Sequence, residues 1–154
     1  MHTSELKRKM GNKFLFVFLI FICFTQYSFA QQKAGDFSIL FYNVENLFDI
    51  HDNPETDDDN FTPDGELHWT SKRLSNKLLN ISKVILNASG WSVPEIMVFC
   101  EIENRTVLER LIKETPLKSL PYKIIHKESP DLRGIDVALI YNPENFVPIE
   151  YNYY

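Results

Sequence analysis

A short apolar segment that ends directly in a carboxylate places the strongest constraint on how this chain folds. Residues Glu95 to Cys100 have the length and composition of a buried β-strand, and Glu101 follows without a gap. A second apolar segment, Asp36 to Tyr42, is followed by Asn43, with Glu45 close behind. The pattern predicts two strands that deliver an amide and a carboxylate from their carboxyl ends, where the ligands of α/β sheets gather.

Asn43 and Glu101 offer oxygen atoms, which suit Mg²⁺ or Mn²⁺ better than zinc. A hard-metal or phosphate site built from the two side chains is therefore one interpretation. The other interpretation is that two ordinary strands carry polar residues where each of them exits to solvent. Spacing alone favours this second interpretation, because a fold-level pattern does not by itself specify a function.

The first thirty residues have the order of a secretory signal peptide. Residues 7–9 form a basic start, Phe14 to Phe24 is an almost unbroken apolar run, and Ser28 to Ala30 offers small residues for cleavage. The run is too short to span a bilayer. We therefore predict a cleaved signal peptide at residues 1–30, one exported domain at residues 31–154, and no stable membrane span after cleavage. The exported domain would be periplasmic or extracellular. The alternative is an uncleaved amino-terminal anchor.

The charge of the chain narrows its partners. Without the leader, the chain carries 12 Lys and Arg against 20 Asp and Glu, which gives a net charge of −8. Such a chain does not wrap duplex DNA by phosphate neutralisation alone, because that binding mode needs a basic face. It does suit a site that collects divalent cations. Cys100 is the one cysteine after the leader, which excludes a disulfide framework.

Helix and strand patterns alternate along the rest of the chain. Thr70 to Ala88 repeats Leu and Ile at helical spacing, with Thr70 as its amino-terminal cap. A capping-box pattern, Thr106 to Glu109, opens a shorter helix. Tyr122 to His126 and Ile135 to Tyr141 are predicted strands, and Phe146 to Glu150 has the pattern of the start of a fifth. This order predicts an α/β layered fold.

Two further segments bear on the fold and on metal binding. Asp36 to Tyr42 has apolar residues at both alternating positions, so we expect this strand to be covered on both sides. Asp49 to Glu66 is a long loop rich in Asp and Glu, and a solvated acidic loop is favoured over a secondary ion site. It does not match a calcium loop, because Phe61 stands at the fifth position from Asp57, where an oxygen ligand is needed.

Three segments stand in a characteristic order: Phe41 to Phe48 (FYNVENLF), Pro94 to Glu101 (PEIMVFCE) and Ser129 to Tyr141 (SPDLRGIDVALIY). Together they resemble the endonuclease/exonuclease/phosphatase family, the DNase I-like metal-dependent phosphoesterases. The first is similar to the strand that runs into a metal-shell asparagine, and the second to the strand that ends in the metal-binding glutamate. The third is similar to the central strand of a secreted bacterial branch, which also has counterparts of Phe61 to Pro63 and of Trp69.

The resemblance implies a four-layer α/β/β/α sandwich and hydrolysis of a phosphate ester with Mg²⁺ or Mn²⁺ as cofactor. The substrate would be a phosphodiester or a phosphomonoester, with nucleic acids and nucleotides among the candidates. By the same resemblance, Glu101 binds the metal and Asn43 touches the metal shell or the phosphate. We add Arg133 as a candidate catalytic residue, because an arginine near the site can clamp two phosphate oxygens at once.

The sequence departs from the family pattern after Tyr141. A Gly-Asp-Phe-Asn-like segment is absent, and so is a Ser-Asp-His-like segment that carries the catalytic histidine. His126, the one histidine after Glu101, is predicted to be a partly buried strand residue rather than a base. We therefore expect a truncated sandwich, its amino-terminal half, with a bare apolar face around Phe41 or Val137. Three functions remain open: a phosphoesterase, a non-catalytic binding module and a remnant without function.

Overall fold

The computed structural model describes residues 37–88, 90 and 93–152. The predicted signal peptide and its cleavage site lie outside these residues, so cleavage and export stay predictions. In the part of the chain that the structure describes, no helix is long and apolar enough to cross a membrane.

Among the described residues, four strands form one sheet. They are β1 (Ile39–Leu47), β2 (Ile96–Ile102), β3 (Lys123–His126) and β4 (Asp136–Tyr141), in the spatial order β1-β2-β4-β3. β1 and β2 are parallel neighbours, while β4 runs antiparallel to both β2 and β3. The carboxyl ends of β1, β2 and β3 and the amino end of β4 consequently share one edge of the sheet, which we call the carboxyl edge.

Helices α1 (Ser71–Ala88) and α2 (Arg105–Glu114) pack against one face of this sheet. α1 supplies the crossover connection that the parallel pair β1–β2 requires. Short 3₁₀ helices lie at Asp59–Phe61 and Pro116–Ser119. The apolar residues between helices and sheet form one cluster, whose members are almost fully buried: Leu74, Leu78, Ile81, Ile85, Met97, Phe99, Leu108, Leu111 and Ile140.

The two helices begin at different kinds of cap. Thr70 caps α1 as predicted, because its Oγ1 accepts a hydrogen bond from the Arg73 N–H at 3.4 Å. The capping box predicted at Thr106 is wrong, because Thr106 lies in the first turn of α2. Asn104 is the cap instead: its backbone is extended and its Oδ1 accepts a hydrogen bond from the Val107 N–H at 3.1 Å. Glu109, the other half of the predicted box, pairs with Arg105 on the helix surface.

None of the described helices covers the opposite face of the sheet, which we call the bare face, although the segment from Phe146 to Tyr151 borders part of it. Phe37, Ile39, Phe41 and Val137 are between 58% and 69% exposed. The expectation that β1 is covered on both sides is therefore wrong, because the described helices pack on the face that carries Phe99. The expectation of a bare apolar face on these strands is confirmed.

Residues 146–150 do not form the predicted fifth strand. A turn follows β4, in which the Phe146 N–H donates to the Asn142 carbonyl at 3.0 Å. The Phe146 ring then packs edge-on against Phe37, with 4.9 Å between the ring centroids. Val147 and Ile149 are exposed. An apolar pattern predicts a strand only where a neighbouring strand can pair with it, and this segment pairs with none of the described strands.

The prediction of an α/β fold is confirmed. The described residues form one mixed sheet and one helical layer, which are two of the four layers of a DNase I-like sandwich. The carboxyl edge lies where the helix-covered face and the bare face of the sheet meet. Asn43 and Glu101, the site residues predicted from the sequence, lie at this edge.

The bare face should bind an apolar dye. We expect the full chain to enhance the fluorescence of anilinonaphthalene sulfonate, since exposed apolar patches beyond a few hundred Å² act as binding surfaces. Phe41→Thr should reduce the signal and change the free energy of unfolding by no more than about 0.5 kcal/mol, because the ring is exposed and Thr suits a strand. Val84→Thr, on the exposed face of α1, is the matched control and should leave the signal unchanged. No dye binding by the full chain would contradict a bare face.

Candidate active site

The structure brings Asn43 and Glu101 together at the carboxyl edge. Asn43 pairs with Cys100 in the parallel register of β1 and β2, so Glu101 comes directly after its partner. The Asn43 Nδ2 donates a hydrogen bond to the Glu101 Oε1 at 2.8 Å. The Asn43 Oδ1 in turn accepts a hydrogen bond from the Glu45 N–H at 2.8 Å. The amide thus orients the carboxylate and is itself oriented by the next turn of chain.

Glu101 occupies a β-bulge. Its φ of 61° is left-handed, which is uncommon for a residue other than glycine. The pairing of β2 with β4 skips it, since Cys100 pairs with Val137 and Ile102 with Asp136. Ile102 takes the next core position and is fully buried, so the extra residue lets Glu101 leave the core-facing row. Bulges of this kind re-aim a side chain next to a site.

The end of β1 is irregular at the same level and holds the second oxygen of Glu101. Glu45 and Asn46 both have left-handed φ angles, of 54° and 61°. Three residues of β1 therefore lie between the pairs Asn43–Cys100 and Leu47–Ile102, opposite Glu101 alone. This backbone turns the Asn46 N–H toward the Glu101 Oε2, at 3.1 Å. Both carboxylate oxygens are consequently fixed by donors from β1.

Lys77 ties helix α1 to this irregular segment. Its Nζ donates hydrogen bonds to the carbonyls of Glu45 and Asn46, the latter at 3.2 Å. Burial lowers the pKa of the Lys77 ammonium, and the nearby charges of Glu45 and Glu101 oppose that effect. The charges of Glu45 and Glu101 therefore both act on the Lys77 ammonium. Sequence reasoning found the two acidic residues but missed the lysine, because α1 is remote from β1 along the chain.

Arg133 lies in the loop between β3 and β4 and is 66% exposed. Its guanidinium makes two hydrogen bonds to Asp131, from Nε to Oδ1 at 3.1 Å and from Nη2 to Oδ2 at 2.9 Å. Asp131 raises the pKa of Arg133, and the charge of Glu101 contributes in the same direction. The guanidinium is therefore within electrostatic range of Glu101, with its hydrogen-bonding fork turned to Asp131.

Glu103 and Asn104 join this edge to the following helix, and sequence reasoning missed both. The Glu103 carboxylate is buried and accepts a hydrogen bond from the Asp49 N–H. The Asn104 Nδ2 donates to the Asp49 Oδ2 at 3.0 Å while its Oδ1 caps α2. Burial raises the pKa of Glu103 to about 7, and the charges of Asp49 and Asp58 add to the increase. Asn104 stands three residues before Val107, which is a usable capping signal; nothing in the sequence marks Glu103.

His126 is the last residue of β3, as the sequence analysis predicted, and its side chain is 3% exposed. Its Nε2 lies 2.9 Å from the Asp136 Oδ2. His126 pairs with Ala138, so it faces the same side of the sheet as Phe99, the side covered by helices. It is therefore separated from Asn43, which lies in the row of the bare face.

The family of the chain follows from the comparison with known proteins. A model of the Endonuclease/Exonuclease/phosphatase family matches residues 38–154. The chain belongs to this family. Its members are typically dependent on a divalent metal and act on phosphodiester substrates such as nucleic acids. No curated protein and no solved structure matches the chain.

The side chains around Glu101 fit the hard divalent cation that this family uses. Each carboxylate oxygen has about two lone-pair sites. One hydrogen bond each from Asn43 and Asn46 thus leaves room for a cation on Glu101. Mg²⁺ commonly binds through one or two carboxylates and keeps several waters. Glu45, two residues after Asn43, is a second carboxylate whose charge acts on Lys77.

The pKa of Glu103 predicts how stability depends on pH. Because the folded-state pKa of about 7 lies above the ordinary value of 4.5, the folded state holds the proton more tightly than the unfolded state between these values. The free energy of unfolding should therefore fall as pH rises from 4.5 to 7 and level off above it. Glu103→Gln keeps an oxygen that can accept from Asp49 and removes the titration. Between pH 4.5 and 7, the free energy of unfolding of Glu103→Gln should rise relative to that of wild type by up to about 3 kcal/mol.

Urea unfolding of the full chain at pH 4.5, 6, 7 and 8 measures this effect. Glu144→Gln, in the exposed turn after β4, is the matched control and should follow the wild-type curve. Identical pH profiles for wild type and Glu103→Gln would contradict a buried, proton-binding Glu103.

Proposed function

We propose that this chain supplies the metal-binding part of a phosphoesterase site for a phosphodiester or a phosphomonoester, with nucleic acids and nucleotides as the leading substrate classes. One observation carries the proposal: Glu101 occupies a bulge at the end of β2, and its carboxylate is fixed through both oxygens by donors from β1. Glu101 is the proposed metal ligand. Asn43 is proposed to touch the water shell of the metal or the phosphate.

A divalent ion bound there would neutralise charge on the phosphoryl oxygens and lower the pKa of a bound water. The role of the protein residues is to hold the carboxylate in place before any ion arrives. Asn43 and the Asn46 N–H do this directly, and Lys77 holds the segment that carries Asn46. Groups that orient a metal ligand commonly affect metal affinity by about 10–100-fold when they are removed.

Arg133 is proposed to contact a substrate phosphate. Its fork now faces Asp131, so a phosphate would share or displace that carboxylate. The exchange is feasible because the pair is exposed, and an exposed ion pair contributes little to stability. Asp131 would then keep the guanidinium near the site until substrate binds.

The proposal has a narrower form. The resemblance favours a secreted bacterial branch, export of the chain, and weak activity of this chain alone. The basis for weak activity is the absence from the sequence of the Gly-Asp-Phe-Asn-like and Ser-Asp-His-like segments. His126 does not replace the missing histidine, since it is buried and hydrogen-bonded to Asp136. The same observation supports the second candidate function, a binding module that holds a metal or a phosphate without hydrolysis.

Manganese binding tests the site. The full chain should bind Mn²⁺ in an isothermal titration, and Glu101→Gln should weaken the binding by more than about tenfold, because it removes the anionic ligand. Glu109→Gln, on the exposed face of α2, is the matched control and should bind Mn²⁺ as wild type does. Equal Mn²⁺ affinity for all three proteins would contradict the assignment of Glu101.

Turnover separates the two candidate functions. We expect the full chain with Mg²⁺ to hydrolyse bis-p-nitrophenyl phosphate no faster than Glu101→Ala does, because a positioned acid or base typically contributes about 10²–10⁴-fold and, among the described residues, no histidine hydrogen-bonds to Glu101. Phosphate-ester binding without turnover would favour the binding module. Robust turnover that is lost in Glu101→Ala would establish the phosphoesterase and contradict the weak activity proposed for this chain.

A further inference from the structure

A second group of metal-ligating side chains lies where β3 passes into β4. His126, Glu128 and Asp136 each offer one ligand atom, and these atoms all lie within 4.8 Å of one another. The group occupies the β3–β4 end of the carboxyl edge, whereas Asn43 and Glu101 belong to β1 and β2. His126 and Asp136 face the helix-covered side. The proposed function makes no use of any of the three.

The two buried members already stand at a distance that a metal can bridge. The His126 Nε2 and the Asp136 Oδ2 are 2.9 Å apart, and both side chains are at most 3% exposed. In a tetrahedral site, bonds of about 2.0–2.2 Å from zinc to nitrogen and oxygen hold two ligand atoms about 3.3–3.6 Å apart. A metal could therefore take the place of the hydrogen-bonded proton if the two side chains moved apart by roughly half an ångström.

The third member brings an additional negative charge to this pair. Glu128 is 69% exposed, and its Oε1 lies 3.9 Å from the His126 Nδ1. Burial raises the pKa of Glu128, and a contact with the Asp136 carboxylate adds to the increase. Two carboxylates next to one imidazole leave a negative charge that a dication would neutralise. Since Glu128 is exposed, its side chain can rotate to close the third position.

The surrounding loop orients the aspartate. The Ser129 N–H donates to the Asp136 Oδ1 at 2.7 Å, which leaves the Oδ2 for His126. The Ser129 hydroxyl donates to the Ile135 carbonyl at 3.1 Å and accepts from the Asp131 N–H at 3.2 Å. Outer-shell hydrogen bonds of this kind fix ligands in known metal sites.

We propose that His126, Glu128 and Asp136 form a second metal site, which binds a transition-metal dication of the zinc class. One imidazole and two carboxylates suit such an ion, and water would complete a four-coordinate shell. The bound metal would fasten the β3–β4 loop at both of its ends. That loop carries Arg133, so the second site would restrict the positions that the guanidinium can reach.

Zinc binding by the full chain tests the proposal. After removal of metals by EDTA and dialysis, the chain should bind Zn²⁺ in an isothermal titration, and Co²⁺ should give the visible absorption of a site with a nitrogen ligand. Glu128→Gln should weaken Zn²⁺ binding by more than about tenfold, and His126→Gln should abolish it. His51→Gln, at an exposed histidine of another loop, is the matched control, and Glu101→Gln separates this site from the first. His51→Gln should bind Zn²⁺ as wild type does, and Glu101→Gln should retain the Zn²⁺ binding that is lost in His126→Gln.

Circular dichroism checks that each variant folds. If His126→Gln is unfolded, Glu128→Gln decides, because its side chain is exposed and its loss should leave the fold intact. Zinc affinity that is unchanged in Glu128→Gln, zinc affinity that falls only in Glu101→Gln, or no zinc binding at micromolar concentration would each overturn the proposal. Loss of Mn²⁺ binding in Glu101→Gln with zinc binding intact would support two separate sites.

Discussion

The fixed position of Glu101 is the constraint on which the rest of the candidate site depends. A left-handed φ at a residue other than glycine costs on the order of 1–3 kcal/mol and persists only where the surroundings enforce it. Here the enforcement comes from both sides of the bulge. Asn43 and Asn46 each hydrogen-bond one carboxylate oxygen, and Ile102 is driven into the core one position later. Backbone strain of this kind clusters at functional sites.

Each of the four residues from Glu101 to Asn104, at the end of β2, has a different structural role. Glu101 hydrogen-bonds to β1 at the carboxyl edge, and Ile102 is buried in the core. Glu103 is buried against the Asp49 backbone, and Asn104 starts α2 while it also holds the Asp49 side chain. A single strand end therefore joins the sheet, the loop after β1 and the second helix. A displacement of β1 relative to β2 would disturb all of these contacts together.

Much of this arrangement could be predicted from the sequence because it rests on local patterns. Apolar runs located β2 and β4, helical spacing located α1 with its Thr70 cap, and the polar residues after two strands led to Asn43 and Glu101. Their contact follows from the parallel pairing of β1 and β2.

The remaining features could not be predicted because they depend on contacts between segments that are distant in the sequence. The bulge at Glu101 arises from the register of β2 against two neighbours at once. The exposure of Phe41 depends on which face of the sheet the helices cover. Because both faces of β1 are apolar in sequence, the pattern does not show which face that is. Lys77 reaches the carbonyls of β1 from the middle of α1, and the burial of Glu103 requires the loop that carries Asp49.

Paramagnetic broadening by Mn²⁺ in an amide NMR spectrum of the full chain locates the ion and so tests Glu101 as the metal ligand. Substoichiometric Mn²⁺ should first broaden the signals of Glu101, Asn46 and the Asn43 side-chain amide, and excess Mg²⁺ should restore them. In Glu101→Gln these signals should stay sharp at the same Mn²⁺ concentration. Broadening that centres on the acidic loop from Asp52 to Asp59, with the Glu101 signals unaffected, would contradict a metal site at Glu101.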